Sequence, residues 1–282
     1  MTTEFQPNYC ADSVRANDPD RYILAMLAPA AVRDALFSLY AFNIEIARTR
    51  ELVSEPPLGE IRLQWWRDGI DAIYAGKGLR HGVGNALTQT IATHELSRLH
   101  FERLIDARSA DLDDNPPESI DDLLSYAEGT TAPLLSLALE IVGESSVEAT
   151  EAARDAGIAW SLIGLTRALP FHLRARRHYL PLELTQRFDV SGRDLLEIKP
   201  HENLNRAIEH LSGAIDRHIR NAHSRRAAIG RSAVPVLLHA RFAEIHLRRL
   251  SSVGFDPFDA RLAETPPMTV WRLTLQKMCG RY

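Results

Sequence analysis

The sequence predicts an all-α protein, and three observations carry the prediction. Apolar residues recur three and four positions apart through most of the chain, strict alternation is almost absent, and β-branched residues are sparse. Prolines and glycines fall between the periodic stretches and leave short connections between roughly ten helices. No internal repeat, low-complexity run or linker divides the chain. One helical domain is therefore expected over 19–282, after an irregular lead-in at 1–18.

Asp18-Pro19-Asp20 suits the cap of a short helix, Arg21 to Leu27. The chain is organised around the next stretch, Pro29 to Glu51. Pro29 fits a first helical turn, and Val32, Ala35, Leu36, Leu39, Tyr40, Asn43, Ile44 and Ala47 form a wide stripe. Glu45, Arg48, Arg50 and Glu51 crowd its C-terminal third. Ser54-Glu55-Pro56-Pro57 breaks this helix, 58–75 forms another, and Gly76-Lys77-Gly78 ends that one. Two shorter helices follow at 84–96 and 98–110, then a solvated acidic loop at 111–119. Ser119 to Val142 carries Asp121 and Asp122 in its first turn; Gly129-Thr130-Thr131 and Pro133 predict an interruption and a kink. A long helix from Ser146 to about Leu173 precedes a looser region at 175–200, and helices close the chain at 201–228, 233–252 and 268–278.

Of 282 residues, 45% are hydrophobic and 25% charged, enough for a sizeable core. A formal charge of −4 argues against bulk electrostatic binding to nucleic acid. Cys10 and Cys279 form neither a disulfide framework nor a metal-ligand spacing, which suits a reducing compartment. No apolar run approaches the ~20 residues that span a bilayer. Glu4, Asp12, Asp18 and Asp20 among the first twenty residues argue against a signal or transit peptide. A cytoplasmic protein is expected, with peripheral attachment to the inner membrane open.

Few side-chain patterns suggest chemistry. There is neither a phosphate-binding glycine loop nor a GxSxG. His94 and His100 are too far apart for a zinc pair, and His239 and His246, two turns apart on one face, read as core or surface residues. Asp68 and Asp71 could face one magnesium ion, but near Arg62 and Arg67 a solvated charged face explains them better. Trp65-Trp66 reads as core and rim. Arg174, Arg176, Arg177 and His178 form either an ordinary surface or an anion and lipid-headgroup patch.

Four segments together resemble the squalene/phytoene synthase family, in the family's order and over roughly 15–275. They are the helix ending LYAFNIEIARTRE, the run Tyr126-Ala127-Glu128-Gly129-Thr130-Thr131, the helix from Gly157 to Arg167, and Arg177-His178-Tyr179-Leu180-Pro181. The resemblance implies an all-α bundle around an apolar cavity. In the family, enzymes join two prenyl diphosphates head to head, and two Asp-rich motifs hold the magnesium ions that ionise the diphosphate. Tyr40, Asn43, Ala47, Tyr126, Thr130, Trp160, Gly164 and Arg167 are expected along that cavity, and Arg177 at an anion site.

The resemblance fails where the chemistry sits. The DDxxD motif aligns with Ala47, Arg48, Thr49, Arg50 and Glu51, and the DxxxD motif with Ala168 and His172. Of the five aspartate positions only Glu51 stays acidic, Arg50 adds positive charge, and Gly164 stands where many members have Asn. Too few hard oxygen ligands remain for a magnesium cluster. This departure resembles the branch related to a mitochondrial assembly factor for respiratory complex I, with which Glu51-Leu52-Val53-Ser54-Glu55-Pro56 and Gly59 to Arg67 agree; the unsuited leader points to a bacterial relative.

Three readings follow. The first is a non-catalytic homologue without catalytic or metal-binding residues, serving assembly of a membrane complex with a subunit or assembly partner, and retaining a prenyl diphosphate or lipid pocket. The second is a divergent prenyl transferase in which Arg48, Arg50 and Arg167 clamp phosphate; only this reading calls for Mg2+. The third treats Glu45, Arg48, Arg50 and Glu51 as intrahelical ion pairs, Glu45 with Arg48 and Arg48 with Glu51.

Overall fold

The computed structural model describes residues 9–282. The first eight residues of the expected lead-in lie outside them. Among the described residues there are fifteen α-helices, four 3-10 turns and no strand, as the all-α prediction requires. The chain groups into two compact units. Of the described residues, one comprises those up to Asp113, Pro133–Thr150 and Ile229–Val236; the other comprises Asp114–Ala132, Glu151–Ala228 and Leu237–Tyr282.

In the first unit, the expected irregular lead-in is a helix over its described part, α1 (Tyr9–Asn17), anchored by the fully buried Val14. Asp18 then caps α2 (Pro19–Leu27): its carboxylate accepts the Arg21 backbone N–H at 3.0 Å and pairs with the Arg21 guanidinium at 2.6 Å. Pro29 stands just before α3 (Ala30–Ala47) with extended ψ, one place earlier than expected. Every residue from Ala35 to Ile44 is buried, so the stripe read from sequence is a helix covered on all sides. Ser38 is accommodated there because its hydroxyl bonds Thr90 at 2.7 Å and the Ala35 carbonyl at 2.9 Å. At Arg48 the helix breaks, and a single turn, α4 (Thr49–Leu52), follows.

Helix α5 (Pro56–Tyr74) begins at the paired prolines, where missing N–H groups cost nothing, and ends before Gly76 at φ +74°. The unit continues with α6 (Gly82–His94) and α7 (Arg98–Arg108). Phe42 meets Trp66 and Phe101 edge-on at 5.1 and 5.5 Å, while Trp65 stays 43% exposed, which gives the core-and-rim pair expected. Asp71 pairs with Arg98 at 2.7 Å and Asp68 accepts from Gln64 at 2.7 Å.

Helix α8 (Ile120–Ile141) runs on through Gly129 and Pro133, so the expected interruption is absent. Thr130 and Thr131 donate their hydroxyls back to the carbonyls of Tyr126 and Ala127, so both buried hydroxyls are satisfied within their own helix. Helix α9 (Val147–Arg167) crosses close to it at Gly157, where a Cβ would lie 3.0 Å from Thr131 Oγ1. The single helix expected to reach Leu173 instead splits at Ala168, because Pro170 in the first turn of α10 (Leu169–Arg174) cannot donate back into α9. The looser region contains α11 (Leu182–Arg187) and α12 (Gly192–Leu196). The second unit is completed by α13 (Glu202–Ser224), most of α14 (Val234–Ser252), and α15 (Thr269–Met278). Helix α13 buries Leu204, Ala207, Ile208, Leu211, Ala214, Ile215, Ile219 and Ala222, a strict three-four spacing. The buried Asp155 carboxylate ties α9 to α13 by accepting from His218 Nδ1 at 2.7 Å and from Arg225 at 2.9 Å.

Phe42→Ala removes the ring shared by Trp66 and Phe101. Urea denaturation is expected to show a loss of about 3–5 kcal/mol; a loss under about 1 kcal/mol contradicts this packing.

Candidate functional site

In the first unit, the candidate residues sit where α3 leaves the core. Tyr40 and Asn43 are buried on α3. The Arg21 guanidinium lies 5.9 Å from the Tyr40 ring centroid, and burial pushes the Tyr40 phenol well above its ordinary pKa. Asn43 Oδ1 and, one turn and a half on, Thr49 Oγ1 are buried without a hydrogen-bond partner among the described residues. At the break, Arg48 reaches Glu51 at 3.5 Å and donates to Asn17 Oδ1 at 2.9 Å, while Arg50 leans on the Val53 carbonyl at 3.4 Å. Glu45 does not pair with Arg48 as the spacing suggested. Its carboxylate is taken at 2.6 Å by Arg62, which α5 brings alongside. A partner seventeen residues away leaves no mark on a helical spacing rule.

In the second unit the candidates are held by one another. The Tyr126 and Tyr179 rings stack at 5.1 Å, and His172 meets Tyr179 edge-on at 5.0 Å. Thr130 is buried with its hydroxyl turned to its own helix. Trp160 packs against His239 at 5.2 Å and Phe242 at 5.4 Å, and the His246 ring stacks on Phe242 at 5.0 Å. A Cβ at Gly164 would touch nothing within 4 Å, so no crowding demands glycine there. Arg167 is committed inside the unit: Nε donates to the Leu262 carbonyl at 3.1 Å and Nη1 lies 3.1 Å from His246 Nε2. Because guanidinium only donates, His246 Nε2 accepts and its proton sits on Nδ1. His239 and His246 are thus core groups gathered around Trp160 and Arg167; their spacing on one helix face was the only hint. Arg177 is partly buried after α10, Arg174 and Arg176 are exposed, and burial pulls the His178 pKa down while Nδ1 faces the Leu180 carbonyl at 3.1 Å.

The residues present do not fit a magnesium cluster. Ala47, Arg48, Thr49 and Arg50 leave Glu51 as the one acid at the first motif, Ala168 and His172 supply no carboxylate at the second, and among the described residues no three His, Cys, Asp or Glu gather as metal ligands. One cavity within the second unit, lined by Leu123, Leu162, Leu165, Tyr179, Ile208 and Leu211, has a volume of about 20 Å3.

The sequence model of the squalene/phytoene synthase family matches residues 14–277. The chain belongs to this family. It is 31% identical over 274 residues to the Bos taurus protein named NADH dehydrogenase (ubiquinone) complex I, assembly factor 6, covering 97% of this chain and 82% of that one. The Homo sapiens protein of the same name is 30% identical over 275 residues, covering 98% and 83%. Among solved structures, a dehydrosqualene synthase in complex with ligand superposes with a TM-score of 0.83 at 18% identity, covering 96% of this chain and 94% of that one. The fold is therefore that of the squalene/phytoene synthases, as the sequence resemblance implied.

Two predictions follow from this geometry. The Arg48–Glu51 pair is exposed, so Arg48→Ala should change unfolding free energy by less than about 1 kcal/mol; a larger loss in urea denaturation assigns Arg48 a structural role. His178 and His223 have pKa values lowered below 6.5 by burial. The unfolded chain therefore binds protons that the folded chain refuses, and stability falls as pH drops below 6.5. The urea midpoint should be lower at about pH 5.5 than at about pH 7.5, with a flatter dependence in His178→Asn.

Proposed function

We propose that the chain is a non-catalytic squalene/phytoene synthase homologue that acts in assembly of respiratory complex I, the NADH:quinone oxidoreductase, without magnesium. The observation that carries the proposal is the replacement of carboxylates at both metal motifs. A leaving diphosphate is strongly anionic, and carboxylates approach it only through a divalent cation. Here one motif offers Arg48 and Arg50 and the other Ala168 and His172. Near-full-length similarity to proteins named as complex I assembly factors supports the assembly role and its partner, a subunit or assembly intermediate of that complex. Among the described residues no helix is long and apolar enough to cross a membrane, so the proposed location is peripheral, on the membrane face where the complex is built.

The alternative transferase needs Arg167 beside Arg48 and Arg50 as a phosphate clamp. Two of its guanidinium nitrogens already engage the Leu262 carbonyl and His246. The alternative also forgoes a Lewis acid worth several kcal/mol of transition-state stabilisation.

Incubation with geranyl, farnesyl or geranylgeranyl diphosphate should release no diphosphate, with magnesium or with EDTA; magnesium-dependent release overturns the non-catalytic half of the proposal. Deletion of the gene in its own host should deplete assembled complex I on native gels. Wild type and Glu51→Gln should both restore it, because the surviving acid holds no metal. Normal levels of complex in the deletion strain overturn the assembly half.

A further inference from the structure

The C-terminal helix α15 has a face that the assembly reading leaves unused. Its inner side is fastened: Thr269 and Leu273 are buried, and Tyr282 beyond it is buried with its hydroxyl donating to the Ala222 carbonyl at 3.2 Å and the Arg226 guanidinium 5.1 Å from its ring centroid. With that side fixed, Trp271, Leu275 and Met278, spaced four and three apart, turn outward on one face. Trp271 is 58% exposed and Met278 71%, and Met268 at the N-cap and Val270 are exposed beside them. A protein with 45% hydrophobic residues has ample core in which to hide a Trp and two Met, so a continuous outward row of large apolar groups marks a contact surface.

Charge selects the partner. From Thr265 to Tyr282 the chain has Arg272, Lys277 and Arg281 and no acidic residue, although the whole protein carries −4. The row borders a cleft between α14 and α15, lined by Arg241, Glu244, Ile245, Arg248, Arg272 and by Leu275 of the row itself. Its one acid, Glu244, is already paired with both Arg241 and Arg248, leaving the cleft net positive. An indole among apolar side chains, with basic residues alongside and no acid on the helix, matches the boundary between acyl chains and anionic headgroups.

We propose that α15 is a docking surface for an anionic lipid bilayer: Trp271, Leu275 and Met278 enter the acyl boundary, while Arg272, Lys277, Arg281 and the Arg241–Arg248 cleft meet lipid phosphates. The surface rests on the peripheral location proposed above, whereas flotation reads lipid binding alone and its outcome does not depend on the assembly role. The basic cluster after α10 is a weaker match. Phe171 is the large exposed apolar residue beside Arg174 and Arg176, and His178 has its pKa lowered by burial.

The test is flotation of the full chain with phosphatidylcholine vesicles, with and without phosphatidylglycerol. Binding is expected only with phosphatidylglycerol and should fall as salt is raised. Replacing Trp271 and Leu275 together by Ser should weaken it at least about tenfold, and Arg272→Ala about fivefold. All these side chains are exposed, so unchanged melting temperatures verify the fold. Arg174→Ala with Arg176→Ala should bind as wild type does. A fluorophore on Cys279, exposed beside the row, should shift to the blue on anionic vesicles; Cys10, half-buried with its thiol pKa pushed up to about 11, stays unlabelled at neutral pH. The proposal fails if wild type does not float, if the Trp271 and Leu275 variant floats unchanged, or if that variant instead converts a stable dimer to monomer, which would assign the face to a second copy of the chain.

Discussion

A helix buried along ten consecutive residues can carry charge only near its ends, and α3 is such a helix. From Ala35 to Ile44 its polar side chains are Ser38, Tyr40 and Asn43, because an ionised group there would lose its hydration with nothing to replace it. Charge appears as α3 leaves the core, at Glu45, Arg48, Arg50 and Glu51. The aligned metal motif of the family falls at this same exit. The scaffold that places functional groups there is intact, and the sign of the groups is reversed.

The second unit shows a parallel conversion. Arg167, expected to face a phosphate, spends its donors on a backbone carbonyl and a histidine. His172, at an aspartate position, rests its ring on Tyr179, which stacks on Tyr126. The residues that the resemblance sets at the second metal motif make a ring contact and a chain break, His172 on Tyr179 and Ala168 between α9 and α10. Such contacts stabilise a fold without demanding the ligand geometry that a divalent ion requires.

The exposed row on α15 bears on where the protein works. A chain of net negative charge that gathers its C-terminal cations beside an outward indole has a local field opposite to its overall one. At physiological salt, charges are felt over about 8 Å, so the local field governs contact while the overall charge has little influence there. Membrane proximity and assembly of a membrane complex are compatible, yet they rest on different residues, and one can be removed without the other.

Local periodicity and local chemistry made much of this protein legible from its sequence. The three-four spacings of α3 and α13, the Asp18 cap, the glycine stop after α5 and the substituted metal motifs are properties of neighbouring residues, and a chain carries them unfolded or folded. Other features depend on groups that meet only after packing. Glu45 chose Arg62 over Arg48, Pro170 split α9 from α10 where periodicity ran on, α8 stayed whole through Pro133, and α1 formed where composition suggested none. Periodicity also could not tell which apolar face of α15 turns inward; Leu273 and Tyr282 decided that by being buried, leaving Trp271 and Met278 outside. Sequence records what each segment can do alone, and tertiary structure assigns each group its partner, because a hydrogen bond or ring contact depends on distance in space rather than along the chain.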